Sequence, residues 1–219
     1  MRFAKEAWPF VVPFLLAAGG LYAFRRPGWA TGLLVVGLLV LLFFRDPSRR
    51  FDGPAGVAIA PADGKITEIK VVEDPEIGPG RHRRIVTFLS VFDVHVQRCP
   101  VDGKVVHSEL RRGLKLAAFN PDVGEKNEGH TNVFVTADGT RVGVRQLAGL
   151  IARRVVSWIG AGQEKRRGDP LGVIKFGSRV DLFVPESWEV LVKVGDRVRN
   201  GETPMARPAG TIPAAEATP

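Results

Sequence analysis

Two stretches, residues 8–24 and 27–44, carry no charged side chain, and only Arg25-Arg26 and the turn signal Pro27-Gly28 divide them. Each run approaches the ~20 residues with which a helix crosses a bilayer. Leucine, valine and phenylalanine surround both runs on every face, unlike the one apolar stripe of a helix packed on a soluble core. A secretory signal would show a single apolar core and a small-residue cleavage site. So short a link returns the chain to its starting side, whether the helices span or dip. Residues 1–50 therefore read as a membrane-associated helical hairpin. Arg2 and Lys5 before it, and Arg45, Arg49 and Arg50 after it, outnumber Arg25 and Arg26 at its tip. The positive-inside rule then puts the rest of the chain on the cytoplasmic side of the cell membrane.

Beyond residue 50 the pattern changes to short β-rich runs punctuated by glycine, proline and aspartate. Strands are expected at 57–60, 65–72, 84–88, 95–97, 103–109, 131–136, 141–147 and 179–184. Asp63-Gly64, Asp102-Gly103 and Asp138-Gly139 mark turns, the last a hairpin signal. Residues 147–155 fit a strand or a short helix equally, 110–130 read as a loop, and 208–219 as a disordered tail. The expectation for 51–207 is a β-rich (α+β) single domain of barrel-sandwich-like antiparallel strands. Two internal patterns stand out. Pro61-Ala62-Asp63-Gly64-Lys65-Ile66 is echoed by Pro100-Val101-Asp102-Gly103-Lys104-Val105. The stretch 192–202 has the strand, Gly-Asp, strand, Gly-Glu rhythm of lipoyl- and biotinyl-type sandwiches, without the lysine-tipped hairpin that a carrier modifies.

The chain has 31 Lys and Arg against 23 Asp and Glu, a net charge of +8. No basic block with interleaved aromatics is present, so nucleic acid is not the expected partner; an anionic membrane face or an acidic small substrate fits better. A single cysteine, Cys99, and four scattered histidines exclude an intrachain disulfide and give no metal site.

Late in the chain, Gly177-Ser178 follows Val173-Ile174-Lys175-Phe176. A glycine before a serine leaves no Cβ to obstruct attack of the hydroxyl on the preceding carbonyl, although Gly-Ser alone usually marks a turn. Three stretches together resemble the phosphatidylserine decarboxylase proenzyme family, in its short, archaeal-type branch. They are Pro61-Ala62-Asp63-Gly64, then Phe88-Leu89-Ser90-Val91-Phe92-Asp93-Val94-His95-Val96-Gln97-Arg98-Cys99-Pro100, then Phe176-Gly177-Ser178. Asn127-Glu128 and Ala152-Arg153-Arg154 lie between them in matching order. The resemblance runs from about Arg45 to Arg207.

That resemblance implies self-cleavage between Gly177 and Ser178 and conversion of Ser178 to a covalent pyruvoyl group, the cofactor. The products would be a β chain, residues 1–177, and an α chain, residues 178–219, held as a heterodimer. It further implies decarboxylation of phosphatidylserine to phosphatidylethanolamine through a Schiff base with that group, at a lipid membrane. His95 is the leading acid/base residue. Long bacterial members carry a second histidine three residues later, where this chain has Arg98, so their division of labour does not transfer. Asp63 corresponds to the family's maturation acid, and equally suits a turn-holding role. Arg166 and Arg167, in Glu164-Lys165-Arg166-Arg167-Gly168-Asp169, are candidates for the substrate phosphate, or a solvated loop; Arg153 and Arg154 carry the same two readings. His82, His107 and His130 fall outside the matched motifs and read as structural or solvated. A non-enzymatic, membrane-anchored adaptor of lipoyl/biotinyl-like architecture is the competing class, and an uncleaved relative the third.

Overall fold

The computed structural model describes residues 1–113, 127–149, 154–175 and 178–210. The chain opens with β1 (Arg2–Phe3) and a 3-10 turn at Lys5–Ala7, followed by α1 (Trp8–Ala23), α2 (Pro27–Phe43) and β2 (Arg45–Asp46). Pro27 at the first helical position of α2 needs no amide partner, which suits a helix start. The hairpin returns on itself: Arg2 pairs with Asp46 and Phe3 with Arg45, antiparallel. The continuous helical stretch Lys5–Ala23, 19 residues, is long and apolar enough to cross a membrane and is mostly uncovered; Pro27–Phe43 is shorter. Leu16, Tyr22, Phe24, Trp29 and Leu39 point outward with more than half their surface uncovered.

The remaining strands are β3 (Ala58–Ile59), β4 (Gly64–Asp74), β5 (Gly78–Leu89), β6 (Val96–Arg98), β7 (Gly103–Arg111), β8 (Gly129–Val135) and β9 (Arg141–Ala148). They continue with β10 (Arg154–Ser157), β11 (Glu164–Lys165), β12 (Pro170–Lys175), β13 (Ser178–Pro185), β14 (Trp188–Val190), β15 (Arg197–Val198) and β16 (Pro204–Pro208). Each of the eight expected strands meets one of these. The open reading at 147–155 resolves toward strand, since β9 ends at Ala148 and β10 begins at Arg154, with 150–153 outside the described residues. The expected loop at 110–130 is shortened, because β7 runs to Arg111 and β8 starts at Gly129. Most of the expected tail, 211–219, lies outside the described residues.

One antiparallel sheet of eight strands runs β11-β7-β8-β9-β13-β5-β4-β15. Register shifts at Ile66/Glu68 and Val105/His107 bend β4 and β7, and bends of this kind curl a sheet. Two three-stranded sheets, β10-β12-β6 and β14-β16-β3, accompany it. Alternate residues of β13 (Val180, Leu182, Val184) meet Ile66, Ile85, Leu89, Phe134 and Val144 in the main core, together with Ile174 of β12 and Met205 of β16. A fully buried side chain of this kind contributes about 1.5–3 kcal/mol. A second cluster joins the hairpin to the domain: Val11, Phe43 and Phe44 pack on Val94, Val96 and Val173. The root of the hairpin therefore sits on one face of the β10-β12-β6 sheet.

The sequence echo marks two equivalent corners. A Cβ at Gly64, where φ is +152°, would lie 2.1 Å from the Phe88 carbonyl oxygen, and one at Gly103 would lie 2.6 Å from that of Val135. Both glycines let a neighbouring strand approach where a long strand begins.

Candidate active site

Strands β12 and β13 are consecutive in the chain and belong to different sheets, so residues 176–177 carry the chain from one to the other. Ser178, whose backbone opens β13, pairs with Leu89 of β5 on one side and Ala148 of β9 on the other. Across the same gap on one flank runs the segment from Leu89 to Val96, where Val96 pairs with Val173 of β12. His95 lies in that segment, and its carbonyl accepts the Ile174 amide at 3.3 Å. The ladder thus sets the His95 segment against Val173 and Ile174, the latter four residues before Ser178 in the chain. Gly177 itself is outside the described residues.

The chemistry of His95 follows from its surroundings. Its side chain is fully buried. The ring stands 4.0 Å from that of Phe43, the last residue of α2. Nδ1 lies 2.9 Å from the Asp93 carbonyl oxygen, which can only accept, so Nδ1 carries the proton. Nε2 is then a lone pair, buried and without a partner among the described residues. Burial pushes the imidazole down to about 4, against smaller raising effects from the Asp93 carbonyl and carboxylate. At neutral pH it is an uncharged base with one free nitrogen.

Amide side chains that the sequence did not single out fix this segment. Gln97 Nε2 donates to the His95 carbonyl at 2.6 Å, and Gln146 Nε2 donates to Gln97 Oε1 at 2.8 Å. Asn200 Nδ2 donates to the Val96 carbonyl at 2.6 Å. Asp93 Oδ2 accepts from both the amide and the hydroxyl of Ser90 at 2.8 Å, closing the turn before His95. Arg45 donates to the carbonyls of Leu42 and Phe92 and so ties this turn to the end of α2. On the other flank, Asn127 Nδ2 donates to the Ala148 carbonyl at 2.7 Å, and the Ala148 amide donates to the Glu128 carbonyl at 2.9 Å. The Asn127-Glu128 match thereby abuts the strand position opposite Ser178.

Asp63 is buried and ion-paired with Arg49, and its Oδ1 also accepts the Asn200 amide at 2.8 Å. Its carboxylate reaches the His95 segment through Asn200. Arg98, at the position of the second histidine of the long relatives, pairs with Asp46 in a buried ion pair and donates to the carbonyls of Pro47 and Gly168 at 2.9 Å. It clamps the hairpin's exit to the domain. Arg167 donates to the carbonyls of Gly53, Pro54 and Val57 and lies over the Phe51 ring. Arg166 and Arg167 precede the Pro170 end of β12, whereas the crossing follows its Lys175 end, roughly 17 Å along the strand at ~3.3 Å per residue. His82 pairs with Pro185 at the far end of β13, His107 faces Glu109, and His130 contacts the Ser108 hydroxyl at 2.9 Å. Burial and the charge of Asp169 push the Cys99 thiol up to about 12, which leaves it inert as a nucleophile.

A curled antiparallel β-domain rooted on an apolar helix pair, with a buried neutral histidine on the segment paired with β12, is the class these features define. Residues 36–206 match the phosphatidylserine decarboxylase family, and the chain belongs to that family. It is similar to phosphatidylserine decarboxylase proenzymes of Symbiobacterium thermophilum (44% identical, 93% of this chain and 94% of that one), Nitrosomonas eutropha (39%; 93% and 94%) and Saccharopolyspora erythraea (40%; 89% and 85%). The match takes in the carrier-like stretch 192–202, so that rhythm belongs to the decarboxylase domain.

Proposed function

We propose that this chain is a proenzyme that cuts itself between Gly177 and Ser178 and, once mature, decarboxylates phosphatidylserine to phosphatidylethanolamine. The observation that carries this reading is the unpartnered Nε2 of His95, a neutral base on the segment paired with β12, the strand that precedes the Gly177–Ser178 bond. In maturation, the Ser178 hydroxyl gives up its proton and bonds to the Gly177 carbonyl carbon, and the Gly177–Ser178 C–N bond breaks, leaving an ester. Removal of the Ser178 α-proton then expels the Gly177 carboxylate. Water enters and ammonia leaves, so residue 178 becomes a pyruvoyl terminus. His95 is suited to accept a proton in either of the first two steps, and Asp63, through Asn200, holds its segment in place.

The residues present fit such a terminus. A keto group in this position supplies the electron sink for the pair left when the substrate carboxylate departs as CO2. Nε2 of His95 is available to carry a proton, and the Phe43 ring and surrounding apolar side chains exclude water from it. Both fragments stay joined, because β13 of the small chain is paired on both sides by strands of the large one. The exposed apolar faces of α1 and α2 suit a bilayer, and the basic flanks suit its cytoplasmic side. A site at the root of the hairpin receives a lipid head group without lifting the lipid from the membrane.

Denaturing electrophoresis and fragment masses, with and without borohydride, test the cleavage and the ketone; CO2 release from phosphatidylserine vesicles tests the reaction. An intact 23.8 kDa chain that releases no CO2 would overturn the proposal.

A further inference from the structure

In β10 and β12, Arg154 and Lys175 are directly opposed across the ladder. Two like charges in that position destabilise a sheet unless something neutralises them. Neither forms an ion pair with an acidic side chain among the described residues; Lys175 Nζ instead stands 5.3 Å from the Phe10 ring centroid, at the root of α1. Strand alternation gives the face. Val156 and Val173, two residues along, pack with the hairpin root, whereas Val155 and Ile174 between them enter the main core. Arg154 and Lys175 therefore share the hairpin-facing side of the sheet. They line a cavity of about 380 Å³ with Glu6, Leu110, His130 and Ser157. Glu6 is the one carboxylate in that lining; its Oε1 accepts from Trp158 Nε1 at 2.9 Å, and its Oε2 is buried without a partner among the described residues.

We propose that Arg154 and Lys175 form the seat for the phosphodiester of the lipid head group. A phosphodiester bridging the two cations removes their mutual repulsion and gains charge-assisted hydrogen bonds from each. Lys175 is three residues before Ser178, and Arg154 follows the segment that begins opposite it at Ala148. An anion seated there holds the head group next to the crossing, at the level where the hairpin leaves the domain. This assignment rests on the decarboxylase reading for its ligand, and its test is separable from that reading.

The measurement is calorimetric binding of glycerophosphoethanolamine, a soluble phosphodiester head group, to the full-length Ser178→Ala chain in detergent micelles, which needs no cleavage or turnover. Arg154→Gln and Lys175→Gln should each weaken binding about tenfold or more, the loss of one charge-assisted hydrogen bond. Lys175→Arg should restore most of the affinity, and Lys104→Gln, an exposed cation on β7, should change nothing. Unchanged affinity in both glutamine variants, or no binding by the Ser178→Ala parent, overturns the seat. Inorganic phosphate binding as tightly as the diester would also overturn it, by making the site a general anion trap. In the mature enzyme the same variants should raise KM for phosphatidylserine while kcat is largely kept. If the unsubstituted chain releases no CO2 but head-group binding still depends on Arg154 and Lys175, the decarboxylase reading fails and the seat stands.

Discussion

The ring of His95 lies 4.0 Å from the ring of Phe43, so this buried base is capped by the last residue of the hairpin's second helix. The apolar helix pair and the base proposed for the chemistry are thus in direct contact. Removing the cap should be felt by the base. Phe43→Ala is expected to cost about 3 kcal/mol as a large-to-small change. It should also admit water to the imidazole, so that its pKa rises from about 4 toward the ordinary 6.5. The acidic limb of the pH–rate profile should move up accordingly; a limb that stays in place would separate Phe43 from the base.

His95 also makes stability depend on pH. Its folded pKa is depressed, so between about 4 and 6.5 the unfolded chain binds a proton that the fold refuses. Stability should be fully present above pH 6.5 and fall as pH drops through that window, by roughly 3 kcal/mol in total for a shift of this size. Urea titrations at pH 7, 5.5 and 4.5 should show the slope, and His95→Gln should flatten it and abolish CO2 release.

Ser178→Ala should run as one uncut chain and Ser178→Cys should cleave more slowly than the parent, since a thiol can still attack the Gly177 carbonyl. Electrophoresis over a time course decides both. Scission of the alanine variant at the same bond would remove Ser178 as nucleophile.

Asp63 and Arg49 separate a structural role from a chemical one. If the carboxylate serves only through its ion pair, Asp63→Asn and Arg49→Met should slow self-cleavage alike. If Asp63 also moves a proton in maturation, as proposed for its family position, the asparagine variant should be slower by a further 10²-fold or more. Rates of fragment appearance at matched stability give the answer.

Two glycine substitutions test the corner at the start of β4. Gly64→Ala drives a Cβ to 2.1 Å from the Phe88 carbonyl oxygen and should cost more than about 2 kcal/mol. Gly56→Ala, where φ is +78° but nothing lies within 4 Å, should cost only about 1 kcal/mol, the penalty of the left-handed backbone. Equal effects would mean that the close strand approach is not maintained in solution.

Much of the fold was legible locally. The uncharged runs and the Arg25-Arg26-Pro27-Gly28 link specify a helix pair because their character is continuous over many residues. Strands such as β4, β8 and β13 are long enough for alternation to show. β12 was missed because Pro170–Lys175 is short and contains a glycine, and its central residues are buried on both faces, which erases the period of two. Of the site, Ser178, Gly177, His95 and Asp63 were visible as motif residues. Gln97 and Asn200 lie in recognisable stretches but without a role, and Gln146 in none, since an amide carries no signal until its partner, 49 residues away for Gln97 and Gln146, is known.

The sequence by itself determined that a Gly-Ser pair lies late in the chain, that His95 and Asp63 lie in stretches resembling the family, and that an apolar hairpin precedes them; these are properties of adjacent residues and of composition. Only the tertiary structure decided that Arg98 and Arg167 are engaged in holding the chain together and that, among the described residues, Arg154 and Lys175 face each other without an ion-pair partner and His95 keeps one nitrogen free. Those outcomes depend on which strands lie side by side and on what burial does to a charge, and neither is written in any local stretch of the chain.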